Sequence, residues 1–154
     1  DWATPQWTGA ALETHVIQEV SEGDELAIGV RVIELPGHSA GSIGLLVDTS
    51  AGVSGLTGDA LHFARGALSG RSPLVFWNET EANESIAKIV SAADLLYPGH
   101  DRPFRLVDGV IEYAMPFELT LTNLSPETDG LQFTQASPAD PWIMPGIEQQ
   151  RLDR

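Results

Sequence analysis

Leu35-Pro36-Gly37-His38-Ser39-Ala40-Gly41-Ser42 ends an alternating apolar run and places an imidazole directly after Pro-Gly. The same frame returns as Tyr97-Pro98-Gly99-His100, again behind a short apolar run. Proline fixes φ and glycine permits a sharp reversal, so each His is predicted at the exposed end of a strand, held with little freedom. Between them Val53 to Thr57 reads as a strand that stops at Gly58-Asp59, which sets a carboxylate at a third strand end. Two imidazoles and one carboxylate at strand termini are a suitable donor set for Zn²⁺, Fe or Mn. Any one of these positions alone reads as an ordinary turn residue; the repetition of the frame is what points to a metal.

Composition narrows the donors and the partners. The chain has 4 His and no Cys, so disulfides, thiol nucleophiles and thiolate metal sites are excluded together and a metal must be held by His and carboxylates. Its 154 residues carry 22 acidic against 8 basic side chains, a formal charge of −14. A surface this acidic repels phosphate backbones and anionic headgroups, which excludes nucleic acid and membrane surfaces as partners. Hydrophobic content of 42% with 19% charged residues describes a globular core of single-domain length. No apolar run reaches the ~18 residues of a membrane span, and the first residues lack a basic-then-apolar leader. A cytoplasmic location is the expectation.

Outward from the His-bearing turns, the pattern is mixed α/β. Asp1 to Ala11 reads as a loop or as a chain cut into mid-element and His15 to Val20 as a strand, with a turn over Ser21-Glu22-Gly23-Asp24. Leu26 to Leu35 alternates and predicts one half-buried strand. Ile43 to Val47 and Val53 to Thr57 predict two strands joined as a hairpin, and Phe63 to Phe76 a long irregular loop. Asn78-Glu79-Thr80-Glu81 is a helix cap with Glu three residues on, followed by Ile86, Ile89, Val90 and Ala93 at helical spacing. Leu95 to Tyr97 is a short strand, and Asp108-Gly109 predicts a tight turn between strands at Phe104 to Val107 and Val110 to Tyr113. Composition changes after Met115: residues 116–154 read as a Pro-rich arm draped over the domain or over a partner subunit, which leaves self-association open.

Taken in order, Pro36-Gly37-His38-Ser39-Ala40-Gly41-Ser42, Leu56-Thr57-Gly58-Asp59-Ala60-Leu61 and Pro98-Gly99-His100-Asp101 resemble the third, fourth and fifth motifs of the metallo-β-lactamase superfamily of metal-dependent hydrolases. The resemblance spans roughly residues 23–113. It implies an αβ/βα sandwich with two zinc ions at one edge, Fe or Mn being alternatives. It also implies roles: His38 as a ligand of the first metal, Asp59 as the bridging carboxylate, and His100 as a ligand of the second. His62, Phe63 and Asp101 are candidates for lining the pocket or supporting the ligands. The family's leading His-x-His-x-Asp-His motif is absent, since His15 and His62 stand alone. Residues 1–115 are therefore expected to be the C-terminal part of such a domain, with its N-terminal half on a missing segment or a second chain. A metal-free, non-catalytic binding or scaffold relative is the other explanation.

The chemistry implied is hydrolysis by metal-activated water. The motif variant looks more like the glyoxalase II and lactonase branch than like true β-lactamases, and an ester, thioester or lactone-type small molecule is the expected substrate. A rival stands beside it. Gly37-His38-Ser39-Ala40-Gly41 also satisfies Gly-x-Ser-x-Gly, with Ser39 as nucleophile and Asp59 or Asp94 and His100 in the α/β-hydrolase order. That elbow requires a helix straight after the serine, whereas Ser42 to Val47 reads as a strand.

Overall fold

Alternating apolar residues build one seven-stranded sheet whose strands lie side by side in chain order. The structure is a computed structural model and describes residues 7–121 and 131–134. The strands are β1 (Glu25–Ala27), β2 (Val30–Glu34), β3 (Ile43–Thr49), β4 (Gly52–Gly58), β5 (Leu95–Pro98), β6 (Phe104–Val107) and β7 (Val110–Tyr113). Every neighbouring pair is antiparallel except β4 and β5, which run parallel. Parallel neighbours need a crossover, and this one carries helices α2 (Ala64–Ser69) and α3 (Glu79–Ala92). The mixed α/β class read from the sequence is the class observed.

One face of the sheet is covered by α3. Ile86 and Ile89 are buried against Ile33, Leu35, Leu96 and Phe104, and full burial of each such side chain contributes about 1.5–3 kcal/mol. Gly55 of β4 lets the helix sit close, since a Cβ there would lie 2.9 Å from Ala93 Cβ and 3.1 Å from Ile89 Cδ1. The other face carries Ile43, Leu56 and Tyr97, each at least 40% exposed. Among the described residues no helix is long and apolar enough to cross a membrane.

Several predicted elements are observed as read: the β3–β4 hairpin, the Asn78-capped helix, and the β6–β7 hairpin with Asp108 at φ 49° and Gly109 at φ 77°. Others differ. The predicted strand over His15 to Val20 is irregular and outside the sheet, with Val16 fully exposed, because among the described residues no neighbouring strand offers it a ladder. The single strand predicted over Leu26 to Leu35 is a hairpin: Ile28-Gly29 reverses the chain between β1 and β2, with Gly29 at φ +73°. The loop predicted from Asp1 to Ala11 holds a six-residue helix, α1 (Trp7–Leu12), within its described part. The irregular segment Phe63 to Phe76 contains α2, whose start is capped from elsewhere in the fold. Within the predicted arm, β8 (Glu118–Leu121) and β9 (Leu131–Thr134) pair as a separate two-stranded sheet; the rest of residues 122–154 lies outside the described residues.

Candidate metal centre

The Pro-Gly reversal after β2 delivers His38 through a close contact that only glycine permits. Gly37 has φ +133°, and a Cβ on it would run into the backbone of Ala82 in α3. The turn is then clasped by the chain entering that helix: Phe76 N donates to the His38 carbonyl at 3.0 Å, and Trp77 N and Asn78 N donate to the Gly37 carbonyl at 3.3 and 3.2 Å. The His38 ring is oriented by the Leu74 carbonyl, 2.9 Å from Nδ1. A carbonyl only accepts, so Nδ1 is the donor and Nε2 is turned toward the Asp59 carboxylate. Nε2 lies 3.6 Å from Asp59 Oδ2.

Asp59 follows β4 at the same sheet end. Its second oxygen, Oδ1, lies 3.1 Å from His100 Nε2, so the carboxylate offers one oxygen to each imidazole. The two turns that bring them together are tied by backbone bonds, Gly99 N to Leu61 O at 3.0 Å and His100 N to His62 O at 2.9 Å. Beneath them the buried Thr57 hydroxyl lies within reach of the Leu61 and Tyr97 carbonyls, at 3.2 and 3.3 Å. The side chains of Asp59 and His100 are 43% and 50% exposed, whereas that of His38 is only 14% exposed. The cluster has a closed side and an open mouth.

The structure brings a third imidazole to the same place. His62 is 4% exposed, its ring 5.0 Å from that of His38 and stacked on that of His100 at 5.4 Å. One ligand atom each from His38, Asp59 and His62 falls within a 4.8 Å spread. Sequence reading had His62 as a pocket-lining candidate because it has no His or Asp at metal-ligand spacing; only the tied turns place it here. Phe63 is buried beside the pair, 6.1 Å from His62 and 6.3 Å from His100 between ring centres.

Asp101 supports the turns. Its Oδ2 accepts from Ala64 N and from Tyr113 Oη, each at 3.0 Å, and its Oδ1 accepts from its neighbour Arg102 N at 2.8 Å. Phe63 at the start of α2 makes no side-chain cap bond, so the cap of α2 comes from Asp101. Burial, and then the adjacent Asp101 carboxylate, push the Tyr113 phenol above its usual range, which keeps it a donor. The Arg102 guanidinium stacks 3.7 Å over the Tyr113 ring. The sequence held no local sign of the Leu74 carbonyl or of Tyr113 in these roles, since neither lies in a motif.

Ser39 lies outside this set. Its hydroxyl pairs with that of Ser42 at 2.8 Å, and β3 follows it directly. Asp94 is at the far end of the sheet, bonded to Val53 N at 2.8 Å, beside a cavity of about 260 Å³ lined by Val90, Leu96 and Arg105. His15 is exposed on the segment after α1, against the Ala11 carbonyl.

Neither a protein family nor a curated protein matches the sequence. Solved structures do. The chain is similar to an N-acyl homoserine lactone hydrolase with the product N-hexanoyl-L-homoserine bound at its catalytic metal centre, at 24% identity and a TM-score of 0.46. It is equally similar to a variant of AiiA from B. thuringiensis with N-decanoyl-L-homoserine bound at the active site. In both cases the alignment covers 53% of this chain and 34% of the other, so the chain spans about a third of the length of these relatives.

Proposed function

We propose that the chain is part of a metallo-β-lactamase-like hydrolase that uses metal-activated water on an ester, thioester or lactone-type small molecule. One observation carries this reading: each oxygen of Asp59 faces the Nε2 of a different His, at 3.6 Å for His38 and 3.1 Å for His100. The donors suit a dication, for Nδ1 of His38 donates to the Leu74 carbonyl and its Nε2 is turned toward the Asp59 carboxylate. His38, Asp59 and His100 would hold zinc, Fe or Mn, each of which imidazole and carboxylate donors suit. A divalent ion bound there would lower the pKa of water towards ~7 and polarise a carbonyl oxygen.

The remaining roles belong to the chain's own residues. Leu74 and the Gly37 turn hold the His38 ring, and Asp101 holds the turn that carries His100. Phe76, 45% exposed and 5.1 Å from the His38 ring, with exposed Trp77 beside it, offers an apolar rest for an acyl group. We further infer that the open sheet face bearing Ile43, Leu56 and Tyr97 packs against the remainder of the domain, residues 1–115 being its C-terminal part and 116–154 an extension.

Metal analysis combined with esterase and lactonase assays tests the proposal. Activity lost to chelator, restored by Zn²⁺ and abolished by Asp59→Asn is the expected result. Chelator-resistant activity abolished instead by Ser39→Ala would assign the reaction to a serine mechanism.

A further inference from the structure

We propose that His62 is itself a metal ligand, joining His38 and Asp59 in a three-donor set able to hold a divalent transition-metal ion, with His100 on the other oxygen of the same carboxylate. The proposal rests on the metal-hydrolase reading above and deepens it, since it assigns a ligand that the motifs do not contain.

Position comes first. One ligand atom from each of His38, Asp59 and His62 lies within 4.8 Å of the others, and His100 Nε2 is 3.1 Å from the same carboxylate. The His62 ring stands between the other two imidazoles, 5.0 Å from one and 5.4 Å from the other. Its placement is built in rather than accidental. Leu61 and Phe63 on either side are buried, and the carbonyls of Leu61 and His62 accept from Gly99 N and His100 N. His62 and His100 are thus carried on two strips of backbone riveted together, so that the positions of their rings are set jointly.

Chemistry comes second. Two imidazoles and one carboxylate provide two nitrogens and one anionic oxygen, the three protein ligands of an open tetrahedral zinc site and a net charge suited to a dication. A histidine serving only to fill the core has no reason to sit against two other imidazoles and a carboxylate. Burial of His62 beneath the half-exposed Asp59 and His100 also matches what an ion entering from solvent needs: a closed floor with donors and an open mouth.

The test uses the full 154-residue chain, stripped with chelator and titrated with Zn²⁺ by calorimetry. One zinc per chain is expected. His62→Gln should weaken binding by more than about 100-fold, since loss of mere supporting groups already costs 10–100-fold. His38→Gln and Asp59→Asn should do the same, while His15→Gln, remote and exposed, should bind as the parent does. Circular dichroism checks that each variant folds. Long-range proton–nitrogen spectra of the unmutated chain read the ligands directly, whatever the fate of His62→Gln: zinc should shift a ring nitrogen of His38, His62 and His100. Parent-like affinity in folded His62→Gln, or His62 nitrogens unmoved while those of His38 and His100 shift, overturns the assignment of His62 and leaves the hydrolase reading standing. No zinc-dependent change at any of the three overturns both.

Discussion

At Gly37 the backbone is held at φ +133° with α3 packed against it, so a methyl group meets both an unfavourable conformation and the Ala82 backbone. Gly37→Ala is expected to cost at least about 2 kcal/mol, a sum of conformational strain and overpacking, seen as a lower urea midpoint. Tyr113 acts differently. Its phenol is pushed above the usual range by burial and by Asp101, so the folded state favours the protonated form. The stability this supplies is fully present below the unfolded phenol value of about 10 and is lost as pH rises beyond it. Tyr113→Phe should cost about 1–2 kcal/mol near neutrality through loss of the bond to Asp101. It should also flatten the alkaline arm of a stability–pH curve. The His38, Asp59 and His100 positions were legible because each follows glycine at the end of an apolar run. His62 was not legible as a ligand, because its imidazole partners, His38 and His100, are distant in sequence.

Among the elements, α3 was the most legible, because its cap and its apolar spacing are both local. The Asn78 side chain accepts from Glu81 N at 3.1 Å and its amide donates to the Glu81 carboxylate at 3.1 Å. Asn78→Ala is therefore expected to cost about 1 kcal/mol, checked by thermal unfolding followed at a helix-sensitive wavelength. Helix α2 was illegible for the opposite reason: Asp101, which satisfies its first amide, arrives from the turn after β5. The strand wrongly expected at His15 to Val20 carries the same lesson. Its composition suits a strand, yet pairing needs a neighbour, and among the described residues the sheet order places none beside it.

For the molecule as a whole, the excess of 22 acidic over 8 basic residues dominates the electrostatics. The exposed pairs Arg31–Asp48, Arg71–Glu79 and Lys88–Glu22 are each worth under ~1 kcal/mol. Bonds from Lys88 and from the Glu34 amide lower the Glu22 carboxyl. Its contribution is present above the unfolded carboxylate value and lost as pH falls through the folded one. Net self-repulsion outweighs these pairs, so added monovalent salt is expected to raise the melting temperature. Zinc at a hundred times its Kd should add about 2.7 kcal/mol, reversed by chelator, with scanning calorimetry as the check.

Alternation, turn chemistry and the helix cap determined from sequence that this chain is mixed α/β with two imidazoles and a carboxylate at strand ends, because those signals act between residues near in the chain. Tertiary structure alone decided that His62 joins them, that Asp101 caps α2 and that the Leu74 carbonyl fixes the His38 tautomer. The first two depend on turns that are hydrogen-bonded together only when β4 and β5 lie parallel, the third on the chain entering α3 being bonded to the turn after β2, and no local pattern encodes those meetings.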